Sequence, residues 1–378
     1  MFCKNLLVVL GTRPEAIKLA PLILKLKSEN YKVTVCNTEQ QKELSNQALF
    51  FFELKADINL DVMSPNQTLF ELQSNLLLKL QRVLLNENFD GIFVQGDTMS
   101  AFCGALAGFY SKVPVFHVEA GLRSGNLYEP FPEEALREMI SKITALHFAP
   151  TILAKETLIK ENLPENKIIV SGNTGIDALS CLPKDVMEQA LLTLKDNNIK
   201  INDRLVLITV HRRENHGNRL KSILKAISKL ASIFNDHTFV LPVHPNPNVR
   251  QNVHNTLSSY NNVKLLEPVD YPVLVTLMKN SKLILTDSGG IQEETPSFGV
   301  PLIALRYATE RIEGVKAGIA KLVGADYKKI LEESSSVLKK DKSLTRNKVQ
   351  NPYGDGKASI RILEQINKFF SKKDCSAC

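Results

Sequence analysis

Short β-branched or aliphatic runs alternate with stretches of helical periodicity along almost the whole chain, and no other feature restricts its fold as much. The runs Leu6–Leu10, Lys32–Cys36, Gly91–Val94, Val113–Val118, Leu146–Ala149 and Ile168–Val170 read as strands. Between them apolar residues recur at helical spacing, as at Ile17, Ala20 and Leu24, and again at Leu69, Leu72, Leu76, Leu80 and Val83. After the polar segment Lys195–Asp203 the pattern restarts, with strands at Leu205–Thr209, Thr238–Leu241, Val263–Leu266, Leu283–Leu285 and Leu302–Leu305. Strands alternating with helices build parallel sheets covered on both faces, so the chain is predicted to be α/β, with two doubly wound domains. Its 378 residues agree with that number, at roughly 150 residues per domain. The boundary is expected near Gly172–Asp177 or within the less regular stretch after it. Ligands of such sheets bind beyond the carboxyl ends of the strands, so a cleft between the two domains is the expected site.

Charge and composition remove several other classes. The chain carries 47 Lys and Arg against 40 Asp and Glu, a formal +7. From Lys316 onward there are 14 basic and 7 acidic residues, so the rest is neutral. An excess confined to pieces such as Lys339-Lys340-Asp341-Lys342 and Lys372-Lys373 reads as a solvated face and end, not as a nucleic-acid stripe with interleaved aromatics. Trp is absent, which excludes base or carbohydrate platforms built on it. The six cysteines, Cys3, Cys36, Cys103, Cys181, Cys375 and Cys378, are scattered. The Cys375–Cys378 spacing is half a zinc site without its second pair, so that end reads as a disordered tail and no metal is expected. Leu6–Leu10 is too short for a secretory apolar region, and no run reaches the roughly 20 residues of a membrane span, so a cytoplasmic protein with no membrane partner is expected.

The chemistry-bearing residues fall just past strand ends. Gly11-Thr-Arg-Pro-Glu15 opens a helix, with Pro14 suited to its first position, and free amides with Arg13 and Lys18 could hold an anion. A plain strand-to-helix turn fits the same spacing. Thr286-Asp-Ser-Gly-Gly290 leads into Ile291-Gln-Glu-Glu294; its glycines allow close approach of a phosphate, and Glu293 or Glu294 could take ribose hydroxyls or simply favour the helix start. The run matches neither a Walker loop nor the dinucleotide fingerprint. Three acids, Asp97, Glu119 and Glu133, lie along one rim, where clustered carboxylates can move protons or stabilise a developing cation. Each also has a structural reading: Asp97 as a helix cap, Glu119 paired with Arg123, Glu133 in a first turn behind Pro132. His211-Arg-Arg-Glu214 reads as a pyrophosphate clamp, with Arg212, or as an acid near a leaving group, and a basic surface loop competes. His244 lies beyond another strand and reads equally well as structural.

Taken together, the runs at 11–18 (GTRPEAIK), 96–98 (GDT), 117–123 (HVEAGLR), 132–134 (PEE), 172–174 (GNT), 211–214 (HRRE), 286–294 (TDSGGIQEE), 309–311 (TER) and 351–356 (NPYGDG) resemble the non-hydrolysing UDP-N-acetylglucosamine 2-epimerases, in order along nearly the entire chain. The resemblance implies the GT-B architecture, two Rossmann-like domains facing across a cleft. These are expected over residues 1–175 and 176–356, with a helix over 357–371 packing back on the first. It implies epimerisation at carbon 2 through elimination of UDP to 2-acetamidoglucal and re-addition, with no NAD or metal, in a homodimer. Carried over residue by residue, it assigns Asp97, Glu119 and Glu133 to proton transfer and cation stabilisation and His211 to the departing UDP. Arg13, Arg212, Ser288, Gly289, Gly290 and Arg311 would hold phosphates, Glu294 the ribose, and Lys18 would lie near the site.

The chain departs from the family's usual pattern at Gln41, where a His is common, at Tyr307, where an Asp usually follows Arg306, and at Ile312, where a Pro usually follows Arg311. The Glu15–Lys18 ending favours a plain N-acetylglucosamine group, and Pro14-Glu15 argues against a hydrolysing relative that releases N-acetylmannosamine and UDP. A GT-B glycosyltransferase would need an acceptor groove and fewer rim acids. A non-catalytic nucleotide-sugar sensor would not need Asp97, Glu119 and Glu133 together.

Overall fold

The computed structural model describes residues 4–341 and 350–376. Lys342, Cys3 and Cys378, and the side chains of Lys373 and Cys375, lie outside the described residues. The chain divides into two compact units, 1–181 with 353–378, and 182–352.

The first unit holds a seven-stranded sheet: β1 (Asn5–Leu10), β2 (Lys32–Asn37), β3 (Ile58–Asn59), β4 (Gly91–Gln95), β5 (Val115–Val118), β6 (Leu146–Ala149) and β7 (Ile168–Val170). Its order is β3-β2-β1-β4-β5-β6-β7, and every pair is parallel. The second unit holds β8 (Leu205–Thr209), β9 (Thr238–Pro242), β10 (Val263–Leu266), β11 (Leu283–Thr286), β12 (Leu302–Ala304) and β13 (Ala320–Leu322), in the parallel order β10-β9-β8-β11-β12-β13. Both orders are those of a doubly wound Rossmann-like sheet, with strand order reversing between β1 and β4 and between β8 and β11. Beyond the expected strands lie β3 and β13, edge strands of two and three residues that leave almost no apolar run to read. The strand expected from Val113 begins at Val115.

Burial on both faces explains why the strands read as unbroken apolar runs. Leu6 through Leu10 have no exposed surface, and neither do Leu205 through Ile208. Each such Leu, Ile or Val contributes about 1.5–3 kcal/mol by leaving water. Helix Leu69–Asn86 buries Leu72, Leu76, Leu80 and Val83 as the spacing predicts, while Leu69, in its first turn, stays exposed. Helix Arg13–Ser28 is buried over more than one stripe, because helices Lys42–Phe50, Thr174–Cys181 and Ala358–Ser376 all pack on it. Pro14 is its second residue, not its first.

The division between units falls after Cys181, in the stretch just past Asp177, because Thr174–Cys181 is one helix whose buried face belongs to the first unit. The last helix spans Ala358–Ser376 and lies in that unit too. Asp177 accepts the backbone amides of Ala358 (3.1 Å) and Ser359 (2.7 Å), two donors that a helix start leaves without intrahelical partners. Further along, Phe369 and Phe370 meet Phe116 of β5 edge-on. Cys36 and Cys103 behave as small core residues, and burial pushes both thiols up to about 12.

Candidate active site

At the carboxyl end of the first sheet three loops converge. An added Cβ at Gly11 would lie 2.0 Å from Thr38 Oγ1 and 2.4 Å from Ser100 Oγ, so only glycine allows the approach. Glu15 ties the cluster together. Its Oε2 accepts the amides of Gly11 (3.0 Å) and Thr12 (2.8 Å) and the Thr12 hydroxyl (2.8 Å), and its Oε1 accepts the Thr98 hydroxyl (2.6 Å). Burial pushes this carboxyl up to about 7 against those hydrogen bonds. Arg13 donates its amide to Gln41 Oε1 (3.1 Å), and its half-exposed guanidinium has no partner among the described residues.

Glu119 follows β5 with φ +64, a left-handed conformation that a residue with a side chain adopts at a cost. That turn directs its carboxylate to Lys18 Nζ (2.6 Å) and Gln95 Nε2 (2.7 Å), both donating to Oε2. Arg123, the partner considered from sequence, instead forks onto Glu161 (2.6 and 2.9 Å). Asp97 does not cap the helix Met99–Tyr110; Thr98 does, and Asp97 pairs through Oδ2 with Arg137 Nη2. Glu133 is the first residue of helix Glu133–Ile143, half-buried and without a cationic partner among the described residues. Beneath these carboxylates His117 Nε2 lies 2.7 Å from the Gly96 carbonyl, and burial holds this imidazole down at about 4.

In the second unit the buried Asp287 organises the end of β8. Its carboxylate accepts the amides of His211 (3.1 Å) and Arg212 (3.0 Å) and Asn215 Nδ2 (2.9 Å), and its Oδ1 lies 3.2 Å from His211 Nδ1. His211 stacks on His244 with ring centroids 5.9 Å apart. Ser288 precedes the short helix Gly289–Glu294, and its hydroxyl has no partner among the described residues. Arg311 lies over that helix start: a Cβ at Gly289 would come within 2.8 Å of its Cζ. Its Nε donates to Glu293 (2.9 Å) and its Nη1 pairs with Glu310 (2.8 Å). Arg306 pairs with Glu214 (2.9 Å) and with the other oxygen of Glu310 (2.8 Å). Although burial opposes it, Arg311 and Arg306 hold the Glu310 carboxyl down at about 2. Arg212 has no carboxylate partner among the described residues; burial, then repulsion from Arg306, lowers its pKa. The Tyr271 hydroxyl donates to Glu294 (3.4 Å), and Gly290 faces open space. Tyr307 lies exposed under the Arg219 guanidinium, 5.0 Å from ring centroid to Cζ.

Each unit thus gathers one chemistry at its strand ends, carboxylates in the first and cations around an oriented histidine in the second. Arg137, Glu134, Asp287, Arg306 and Glu310 were not singled out from sequence. Glu134, Asp287 and Glu310 lie inside the runs quoted above without a role of their own, and the Arg137–Glu134 pair has a local signal in the one-turn Glu-Arg spacing after Glu133.

The family model for UDP-N-acetylglucosamine 2-epimerase matches residues 24–367. The UDP-N-acetylglucosamine 2-epimerase of Neisseria meningitidis serogroup A is 46% identical over 374 residues, covering 96% of this chain and 99% of its own. That of Salmonella typhimurium is 41% identical, covering 97% and 99%. A crystal structure of the Neisseria meningitidis enzyme bound to UDP-GlcNAc superimposes with a TM-score of 0.87, at 45% identity, over 96% of this chain and all of the other. The Methanocaldococcus jannaschii enzyme in complex with UDP-GlcNAc and UDP gives 0.82, at 36% identity, over 96% and 99%. A glycosyltransferase from Rickettsia africae, at 14% identity and a TM-score of 0.61, shares the fold alone. Matched nearly end to end by relatives of one name, the chain belongs to the UDP-N-acetylglucosamine 2-epimerase family.

Proposed function

We propose that the chain carries out the reaction of its family by the non-hydrolysing route, interconverting UDP-N-acetylglucosamine and UDP-N-acetylmannosamine for surface polysaccharide synthesis. Carbon 2 of the sugar is not next to a carbonyl, so its proton is barely acidic and direct removal is slow. Elimination avoids the difficulty. The C1–O bond to UDP breaks through an oxocarbenium-like state, the C2 proton leaves to a carboxylate, and 2-acetamidoglucal forms. A proton then returns to the opposite face and the retained UDP adds back at C1. No metal ion or nicotinamide enters this scheme.

What carries the reading is the pair Asp97 and Glu119, carboxylates just past the neighbouring strands β4 and β5, each tied through one oxygen to a cation. They would stabilise positive charge at C1 and take or return the C2 proton, with Glu133 as the third acid. Lys18 acts by holding Glu119. An imidazole braced through Nδ1 against Asp287 would be held in one orientation beside the departing diphosphate, as an acid there requires. Arg13, Arg212, Arg311, Ser288 and the amides of Gly289 and Gly290 would hold the phosphates, and Glu294 the ribose.

Chromatography of the purified chain with UDP-N-acetylglucosamine is expected to give UDP-N-acetylmannosamine. Free N-acetylmannosamine with UDP would assign the hydrolysing reaction, and turnover only with an added acceptor would assign glycosyl transfer. The protein is proposed to work in the cytoplasm as a homodimer; among the described residues no helix is long and apolar enough to cross a membrane. Light scattering of the purified chain tests the dimer.

A further inference from the structure

We propose that Arg137 is a positioning residue of this reaction: clamped by the buried Glu134, its guanidinium holds one oxygen of Asp97 and leaves the other, Oδ1, presented. The proposal rests on the 2-epimerase reading and assigns to Arg137 the aim of the carboxylate that reading uses.

The clamp begins at Glu134, which has no exposed surface. Its Oε1 accepts the amides of Ser124 (2.7 Å) and Gly125 (3.0 Å), and its Oε2 accepts Arg137 Nη1 (2.9 Å). Glu134 and Arg137 sit one turn apart on helix Glu133–Ile143, so the contact costs little side-chain freedom. The other end of the guanidinium, Nη2, reaches Asp97 Oδ2 across 40 residues of sequence. The Glu134 carboxylate and the Arg137 guanidinium together therefore join the loop after β4, the loop that follows Glu119, and the helix that begins with Glu133.

Two features distinguish this from an ion pair kept for stability. The guanidinium is shared between two carboxylates, so the group of three keeps one net negative charge. Asp97 is also bound through one oxygen only, and its Oδ1 has no partner among the described residues, whereas a fork closed on one carboxylate would occupy both. Meanwhile Arg137 Nε is buried without a hydrogen-bond partner among the described residues, so the side chain's best satisfaction has given way to its two-ended reach. A lysine ammonium at this position keeps the charge opposite Glu134 but cannot span both carboxylates in a fixed plane.

Arg137→Lys in the full chain tests this, with turnover of UDP-N-acetylglucosamine, UDP affinity and thermal unfolding measured together. The expected result is a kcat lowered at least ~10-fold, as loss of catalytic alignment produces, with KM and UDP affinity within ~3-fold and a cooperative melt retained. In an Asp97→Asn background the same change is expected to lower kcat by less than ~2-fold, since residues acting as one unit do not add. Arg137→Lys with near-normal kcat, effects that multiply in the double variant, or an unfolded Arg137→Lys chain would each overturn the role. A wild-type chain that does not epimerise would overturn the reading beneath it as well, which separates the two failures.

Discussion

Asp287 lies wholly buried with its Oδ1 3.2 Å from His211 Nδ1, and it also receives the backbone amides of His211 and Arg212. One carboxylate thus fixes both the ring and the backbone that carries it. Asp287→Asn replaces an acceptor oxygen by an amide that faces donors, so the ring loses its orientation. Turnover is expected to fall about 100-fold, as when a general acid is lost, and steady-state kinetics check this. In a His211→Asn background the same change should cost little more.

Asp97→Asn keeps the shape of the side chain and removes its charge. UDP affinity, measured by calorimetry, is expected to hold while turnover falls by about 100-fold or more. Near-normal turnover would take Asp97 out of the chemistry.

Ser288→Ala with Arg311→Ala should act on the nucleotide instead. Charge-assisted hydrogen bonds contribute about 1.5–3 kcal/mol each, so UDP affinity is expected to weaken roughly 10-fold or more. Removing Arg311 also leaves Glu293 and Glu310 with one cation fewer, so the melting temperature should drop too. Unchanged affinity would place the nucleotide elsewhere.

Glu15 makes stability depend on pH. Burial raises its carboxyl from 4.5 to about 7 in the folded chain. Between those values the unfolded chain loses the proton and the folded chain keeps it, so stability falls as pH rises from about 4.5 to about 7 and then levels off. The span corresponds to about 3 kcal/mol. Glutamine can accept the Gly11 and Thr12 amides and donate to Thr98, so Glu15→Gln is expected to flatten this fall. Thermal unfolding of both proteins at pH 5.5 and pH 8 measures it.

The same physics decides which parts of the molecule are legible in its amino-acid order. Fully covered strands such as Leu205–Thr209 announce themselves because both faces are apolar, while the edge strands Ile58–Asn59 and Ala320–Leu322 are too short to do so. Asp97, Glu119 and His211 stand out because each directly follows or lies close behind a strand. Which residues they pair with is silent, since Arg137 meets Asp97 across 40 residues and Asp287 meets His211 across 76. The choice of Lys18 over Arg123 for Glu119 depended on a single left-handed residue, which no spacing rule reveals.

Proton NMR of the purified chain with UDP-N-acetylglucosamine in D₂O, without added metal or nicotinamide, follows epimerisation and loss of the C2 proton in one experiment. A second nucleotide-sugar anomeric signal is expected, with deuterium entering carbon 2 as it grows. A second sugar that keeps its C2 proton, or free N-acetylmannosamine released with UDP, would contradict it.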